Sequence, residues 1–419
     1  MKFNKWTLGL AAVGAVSLAS AARADEKMNS LQTALSNTTI SGSVSVSANL
    51  ALAPGGAQQE SSPAGEIPFQ PVSKQDGFSL DVVRLTIAKP EDESPWASGY
   101  QIDLMYGPDA VNYNTSVNAS GDADFAIKQA YVTLRTPVGN GIDWKIGVFD
   151  TIIGYEVTDA GSNPNYTRSI GYAVEPTEHT GVLGTYTVNS AWSFSAGIAN
   201  TLSAGINNRD MESGAGNGAG SDWHKTLMAS ATYTAPSSWG WAAGSSIYAG
   251  LVYGFNGSHE SFQSGYQQNY YFGTTLNTPW KQLTGGLAFD YVANFGGGFD
   301  PSDEGFSQSA NVYVIGLYAT YKATDKLSFD GRAEYVHGDQ TTTFTGGSFE
   351  NQADGYELTA TVEYDMWANV MARVEARYDH NNSSFPSQFP NDEIGDGGLL
   401  PEFDHSDSLG LYANVIYKF

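Results

Sequence analysis

The chain has 419 residues, 41% hydrophobic and only 15% charged, with 47 Gly, 24 Tyr, 20 Phe and no Cys. Sparse charge and many aromatics exclude a disordered chain, and the lack of Cys excludes a disulfide scaffold or a thiolate zinc site. With 20 basic residues against 44 acidic ones the net charge is −24, which argues against a nucleic-acid partner.

Lys2 and Lys5 precede an apolar run from Leu8 to Ala21, and Ala22-Arg23-Ala24 follows as a small-x-small cleavage site. This reads as a secretory signal peptide over residues 1–24, whose apolar run is too short to span a bilayer. Residues 25–37 then form a short periplasmic segment, and one domain occupies 38–419. No later stretch supplies the roughly eighteen uninterrupted apolar residues of a membrane helix, so any span must be built from strands.

Period-2 alternation recurs from residue 38 onward. Ile40, Val44, Val46, Ala48, Leu50 and Leu52 alternate with Ser41, Ser43, Ser45, Ser47 and Asn49, and the last run sets Leu409, Leu411, Ala413, Val415 and Tyr417 against Tyr412, Asn414 and Lys418. Such runs predict about sixteen strands, beginning near residues 38, 78, 98, 125, 142, 180, 190, 224, 246, 267, 282, 310, 326, 355, 369 and 408. Lys128 falls on the apolar side of its run, which calls for a bulge or a later strand start.

Every second connection is short, as in TPVGNG, NTPW, KATDK and DMWA, and those between are long, mostly Gly-rich and acidic. That alternation is the pattern of an antiparallel up-and-down transmembrane β-barrel with short periplasmic turns and long extracellular loops. In hydrocarbon every backbone N–H and C=O must bond within the protein, so the sheet must close. One face of each strand is lipid-compatible. The other carries Asp103, Arg135, Lys145, Asp290, Arg332, Glu334, Glu357, Glu363, Arg373, Glu375 and Arg377, charges that suit a watery lumen better than a packed core. Trp96, Trp144, Trp192, Trp239, Trp241, Trp280 and Trp367 lie in or beside short connections and read as a periplasmic aromatic girdle. A soluble β-propeller is the rival, but no repeat of blade length is present.

SLGLYANVIYKF ends in Phe419, which looks like the assembly signal of bacterial outer-membrane barrels, where the last strand is read by the assembly machinery. The segments Gly154 to Val157, Asn163 to Ser169 and Glu175 to Gly181 (GYEV, NPNYTRS, EPTEHTG) resemble the OmpL-like β-barrel porin family. That resemblance implies an outer-membrane pore passing small hydrophilic solutes down their gradient, with no cofactor, and a homotrimer by family analogy. The remaining partners expected are outer-membrane lipid and lipopolysaccharide. A plugged barrel whose outer loops bind a ligand, surface polymer or protein partner stands as the alternative.

The connection from about Asp150 to Glu178 is too rich in aromatic and apolar groups to stay in solvent. Folded inward, it would narrow the channel with Asp150, Glu156, Asp159, Glu175 and Glu178 facing Arg168 and the lumenal arginines, because rings of charge set selectivity in pores. Packing outward on a neighbouring subunit is the other option. The charges Arg332, Glu334, Arg373, Glu375 and Arg377 either neutralise one another across the wall or steer ions. Enzyme motifs are absent: His259-Glu260 lacks a second His, no Gly-x-Ser-x-Gly elbow occurs, and the acidic run from Asp392 to Asp407 lacks calcium-loop spacing and suits a solvated loop that could share divalent ions with lipopolysaccharide.

Overall fold

The structure is a computed structural model, and it describes residues 37–419 except 53–60, 63–64, 71–73, 75, 93, 112–123, 203–205, 207–223, 258–263, 296–297, 300–306, 345–346 and 384–405. The expected signal peptide, His259-Glu260 and the acidic run up to Asp404 lie outside the described residues.

Sixteen long strands follow one another: β1 (Thr39–Ala51), β2 (Gly77–Lys89), β3 (Ser98–Tyr106), β4 (Phe125–Thr136), β5 (Ile142–Asp150), β6 (Glu178–Thr187), β7 (Trp192–Ala199), β8 (Thr226–Thr234), β9 (Ser246–Gly257), β10 (Ser264–Asn277), β11 (Leu283–Ala293), β12 (Ser307–Lys322), β13 (Leu327–Phe344), β14 (Gly347–Trp367), β15 (Val370–Ser383) and β16 (Ser406–Lys418). Each pairs antiparallel with its neighbours in sequence, and β16 returns to pair with β1 from Ser43↔Lys418 to Ala51↔Gly410. The sheet therefore closes and leaves no edge, as a lipid-embedded sheet requires. Starts fall close to the expected positions; the main departure is β14, which begins at Gly347 rather than near 355 because β13 and β14 continue as a tall hairpin above the wall.

Alternation sorts the two faces. On β1, Ser43, Ser45, Ser47 and Asn49 are buried inside while Ile40, Val46 and Leu50 are exposed outside. Leu358, Val362, Val374, Leu411 and Val415 continue the outer apolar belt, and Glu357, Glu363, Arg373, Glu375 and Arg377 line the buried interior. No helix among the described residues is long and apolar enough to cross a membrane; the crossing elements are the strands.

Two bulges carry charges inward. The β3–β4 register passes from Asp103↔Gln129 to Leu104↔Ile127 and skips Lys128, which explains its place on the apolar side of the run. The β1–β2 register passes from Ser45↔Val82 to Val46↔Leu80 and skips Asp81. An extra residue in one strand resets which side chains face in, so both end up buried in the interior.

Trp96, Trp192, Trp239, Trp241, Trp280 and Trp367 are exposed at the end that carries the short turns. Trp144 shares its outer face with Ile146 and lies over Gly184. At the opposite rim a second girdle runs through Tyr313, Tyr335, Tyr356 and Tyr378. It contains two like pairs, His337–Asp354 and His380–Asp407, each at 2.7 Å, with Tyr335 and Tyr378 hydroxyls donating to the same carboxylates.

Candidate functional site

β5 and β6 are short, so the connection between them starts and ends inside the barrel rather than at its rim. Thr151 N–H to Thr177 C=O at 2.9 Å closes its neck. Gly154 takes φ +110° there, and a Cβ at that position would collide with the Glu175 carboxylate, so glycine is needed for the turn.

The loop's first residues are held by apolar packing. Ile152, Ile153 and Tyr155 join Phe149, Leu183, Leu202, Met228, Val252 and Tyr271 in one buried cluster, with Tyr155 stacked on Tyr318 at 3.9 Å between ring centroids. Its last part is α1 (Ile170–Val174), capped by Ser169, whose side chain accepts from Tyr172 N–H at 3.0 Å. Ile170 and Val174 pack among Val292, Val312, Val314 and Val336, while Tyr172 meets Phe69, Met105, Ala110 and Ala126.

Between these ends the loop is gripped by its backbone. Arg373 donates to the carbonyls of Ala160, Asn163 and Asn165 at 2.9, 3.2 and 3.2 Å. Arg332 donates to Thr167 C=O at 2.7 Å and Arg377 to Arg168 C=O at 2.5 Å. Glu375 accepts from Tyr166 and Thr167 N–H at 2.5 and 2.9 Å, and Glu334 from Ile170 and Gly171 N–H at 2.6 and 3.1 Å. Such hydrogen bonds to charged groups are worth about 1.5–3 kcal/mol each, and a buried peptide group left without a partner is costly.

The wall charges therefore do two things at once: they pair with one another, as Arg332 does with Glu334 at 3.5 Å, and they bind peptide groups of the loop. Arg332 also meets Glu156 at 2.8 Å and Glu357 at 3.0 Å, and Arg377 meets Asp379 at 2.8 Å. Glu156 is thus brought to a lumenal arginine. Among the described residues Arg168 meets no carboxylate within 4.0 Å: it is buried, donates to Tyr166 C=O at 2.7 Å and to Thr158 C=O, and lies over the Phe69 ring. A mixed ring facing Arg168 does not form, because a buried guanidinium in a tight turn finds carbonyl acceptors of its own loop first.

Asp150 and Glu178 flank the bulged Lys128, Glu178 at 2.5 Å. Asp159 accepts from Ser162 at 2.8 Å and lies 3.8 Å from Arg84, itself paired with Asp103. Burial works against the Asp159 carboxylate, but the Arg84 and Lys418 charges and the Ser162 and Gly161 hydrogen bonds outweigh it and hold its pKa down at about 2. Glu175 is pushed well above the usual carboxylate range, first by burial and then by hydrogen bonding and repulsion with Asp290. On the other wall, Arg135 pairs with Asp143 at 3.0 Å and Lys145 stands over the Tyr131 ring. Phe419 exchanges backbone hydrogen bonds with Gly42 at 2.9 Å.

A cavity of about 320 Å³ opens between this loop and the wall of β1–β4, lined by Arg84, Thr86, Gln101 and Gln129 on one side and by Val157, Asp159 and Ser162 on the other. Charge runs and loop composition pointed to the inward loop, but neither its backbone anchors nor the role of Asp81 carried a sequence signal. Asp81 accepts from Ser45, Ser47, Lys74 and Tyr166 at 2.7–3.0 Å, and only the bulge turns it inward. Among the described residues no group of three or more His, Asp or Glu is placed to hold a metal ion.

Solved structures similar to this one are outer-membrane channels. The channel DcaP of Acinetobacter baumannii matches at TM-score 0.54 and 13% identity, covering 91% of this chain and 97% of that one. An anion-selective porin from Comamonas acidovorans matches at 0.52 and 12%, covering 91% and 99%. OmpF of Salmonella typhi, in complex with daunomycin, matches at 0.51 and 12%, covering 91% and 97%. At such identity they speak for the fold. No curated protein matches in sequence. The family described as "Putative beta-barrel porin-2, OmpL-like" matches residues 37–419, and with the closed sixteen-strand barrel it points to a channel rather than an enzyme. The chain belongs to this OmpL-like porin family: it is an outer-membrane porin, through whose barrel small hydrophilic solutes diffuse passively.

Proposed function

We propose that permeation follows the wall formed by β1–β5 and is narrowed by the loop from Thr151 to Thr177. One observation carries this reading: on β13–β15 the interior charges are buried under loop backbone, whereas Arg84, Arg135, Asp143 and Lys145 on the facing wall keep part of their surface. Water and ions therefore have a charged, accessible lining on that side of the described lumen. Asp150 and Asp159 set the charge of the loop edge, and Asp103, Glu156, Arg168, Glu175 and Glu178 hold it in shape.

Single-channel recording in planar bilayers tests this. Deleting residues 158–172 should raise conductance, since the obstruction is removed; unchanged conductance and selectivity would refute the constriction. Asp159→Lys, which leaves the loop in place, should shift the reversal potential toward anions. A wild-type protein that shows no stable open channel would favour the plugged barrel with ligand-binding outer loops, a reading supported by how much of the mid-lumen the loop occupies. Supporting the further roles are the aromatic Phe419 just beyond β16, paired with Gly42, as assembly signal, the charged n-region and cleavage site of residues 1–24 as a signal peptide, and the trimeric form recorded for OmpT of Vibrio cholerae, which matches at TM-score 0.50 and 12% identity, as precedent for a homotrimer.

A further inference from the structure

The interior cations are nearly all committed. Lys128 has Asp150 and Glu178, Arg84 has Asp103, Arg135 has Asp143, Lys74 has Asp81 and Asp109, and the arginines of β13 and β15 hold the loop. Lys145 differs. Among the described residues its ammonium has no carboxylate oxygen within 4.0 Å, and its partner is the face of Tyr131 at 4.9 Å. Asp150 and Glu91 act on it only through space.

Its surroundings are unusual for a water-filled lumen. In the β5–β6 register Lys145 stands opposite Leu183, a fully buried member of the apolar cluster, and Tyr131 packs against the same cluster. Polar groups line the other side: Tyr131 donates to Gln101 at 2.9 Å, and Thr185 and Ser195 hydroxyls share a 2.9 Å bond. A cation beside a partly exposed aromatic face, with its own counter-ion missing, is complementary to a molecule that has an anionic head and an aromatic body.

We propose that Lys145 and Tyr131 form a subsite for small aromatic monocarboxylates, and that Lys145 determines specificity for them. It rests on the reading of the β1–β5 wall as the permeation wall. The carboxylate meets the ammonium, the ring lies against Tyr131, and Arg135 farther toward the periplasmic mouth adds attraction while Asp143, Glu91 and Asp150 keep the site weak enough to release.

Benzoate is the probe, with neutral benzyl alcohol as its control. Calorimetric titration of the detergent-solubilised full-length protein should show saturable benzoate binding, at least about tenfold weaker in Lys145→Gln and largely kept in Lys145→Arg, since one partly desolvated charge contact corresponds to about that factor. Bilayer currents should show concentration-dependent slowing by benzoate in wild type and none in Lys145→Gln. Equal binding of benzoate and benzyl alcohol, or equal benzoate binding by wild type and Lys145→Gln, would overturn the subsite even if the channel conducts. Binding that depends on Lys145 in a protein that passes no current would uphold the subsite and remove the porin reading beneath it.

Discussion

Lys418, in the last strand, donates a 2.7 Å hydrogen bond to the carbonyl of Gly161, 257 residues earlier in the chain. Arg373 holds the neighbouring carbonyl of Ala160 from β15, and Asn414 bridges β16 to Ser45 and Val46 of β1. The crest of the inner loop therefore sits on the strands where the barrel closes. An exposed tether of this kind is worth about 0.5–1.5 kcal/mol. Lys418→Met should leave the barrel folded and its melting point nearly unchanged, but raise open-channel current noise as the crest moves. A quiet current in the variant would show that the tether does not hold the crest.

Glu375 accepts from two loop N–H groups and from the hydroxyls of Thr167 and Thr361 at 2.6 and 2.7 Å. Glu375→Gln turns part of that acceptor into a donor and strands buried N–H groups, at about 2–3 kcal/mol of loop docking. Trypsin, which cannot reach the buried Arg168 in the docked loop, should cut there in the variant and not in wild type. Equal resistance would contradict the anchor.

From sequence Arg373 and Arg377 either neutralise their neighbours across the wall or steer ions, and steering alone would make their exchange for Glu alter only ion preference. Since both hold loop carbonyls, Arg373→Glu with Arg377→Glu should also release the loop and enlarge the conductance step. A pure change of reversal potential at unchanged step size would restore the steering reading.

Two carboxylates of the loop give opposite pH behaviour. Asp159, held at about 2, supports docking fully above the ordinary value near 4 and loses that support as pH falls toward 2. Glu175, raised by burial and by Asp290, binds its proton more tightly docked than free, so docking weakens as pH rises from about 4.5 through its raised pKa. Wild type should become more sensitive to trypsin at Arg168 as pH rises above the ordinary carboxylate range, and Glu175→Gln should abolish that trend. A trend that persists in Glu175→Gln would assign it to other groups.

Most of the wall was legible because a strand between lipid and water has to alternate, and the short turns have to be short. Lys128 was legible as an irregularity, since one charge out of phase marks a bulge. The entry of Asp150–Glu178 followed from its Tyr, Ile and Pro content. Its attachment did not: Arg373 meets carbonyls of Ala160, Asn163 and Asn165, and a peptide carbonyl leaves no trace in a sequence. The outer girdle escaped for a related reason. Tyr335, His337, Tyr378 and His380 read as ordinary strand positions until β14 and β16 set Asp354 and Asp407 beside them in register.

A barrel that grips its inner segment by peptide groups leaves the outward side chain of Val157 unencumbered. Val157 can be exchanged without loosening a single wall arginine or glutamate, so mutations there retune the filter while the frame stands. Diversification of what passes is thereby uncoupled from the risk of collapse.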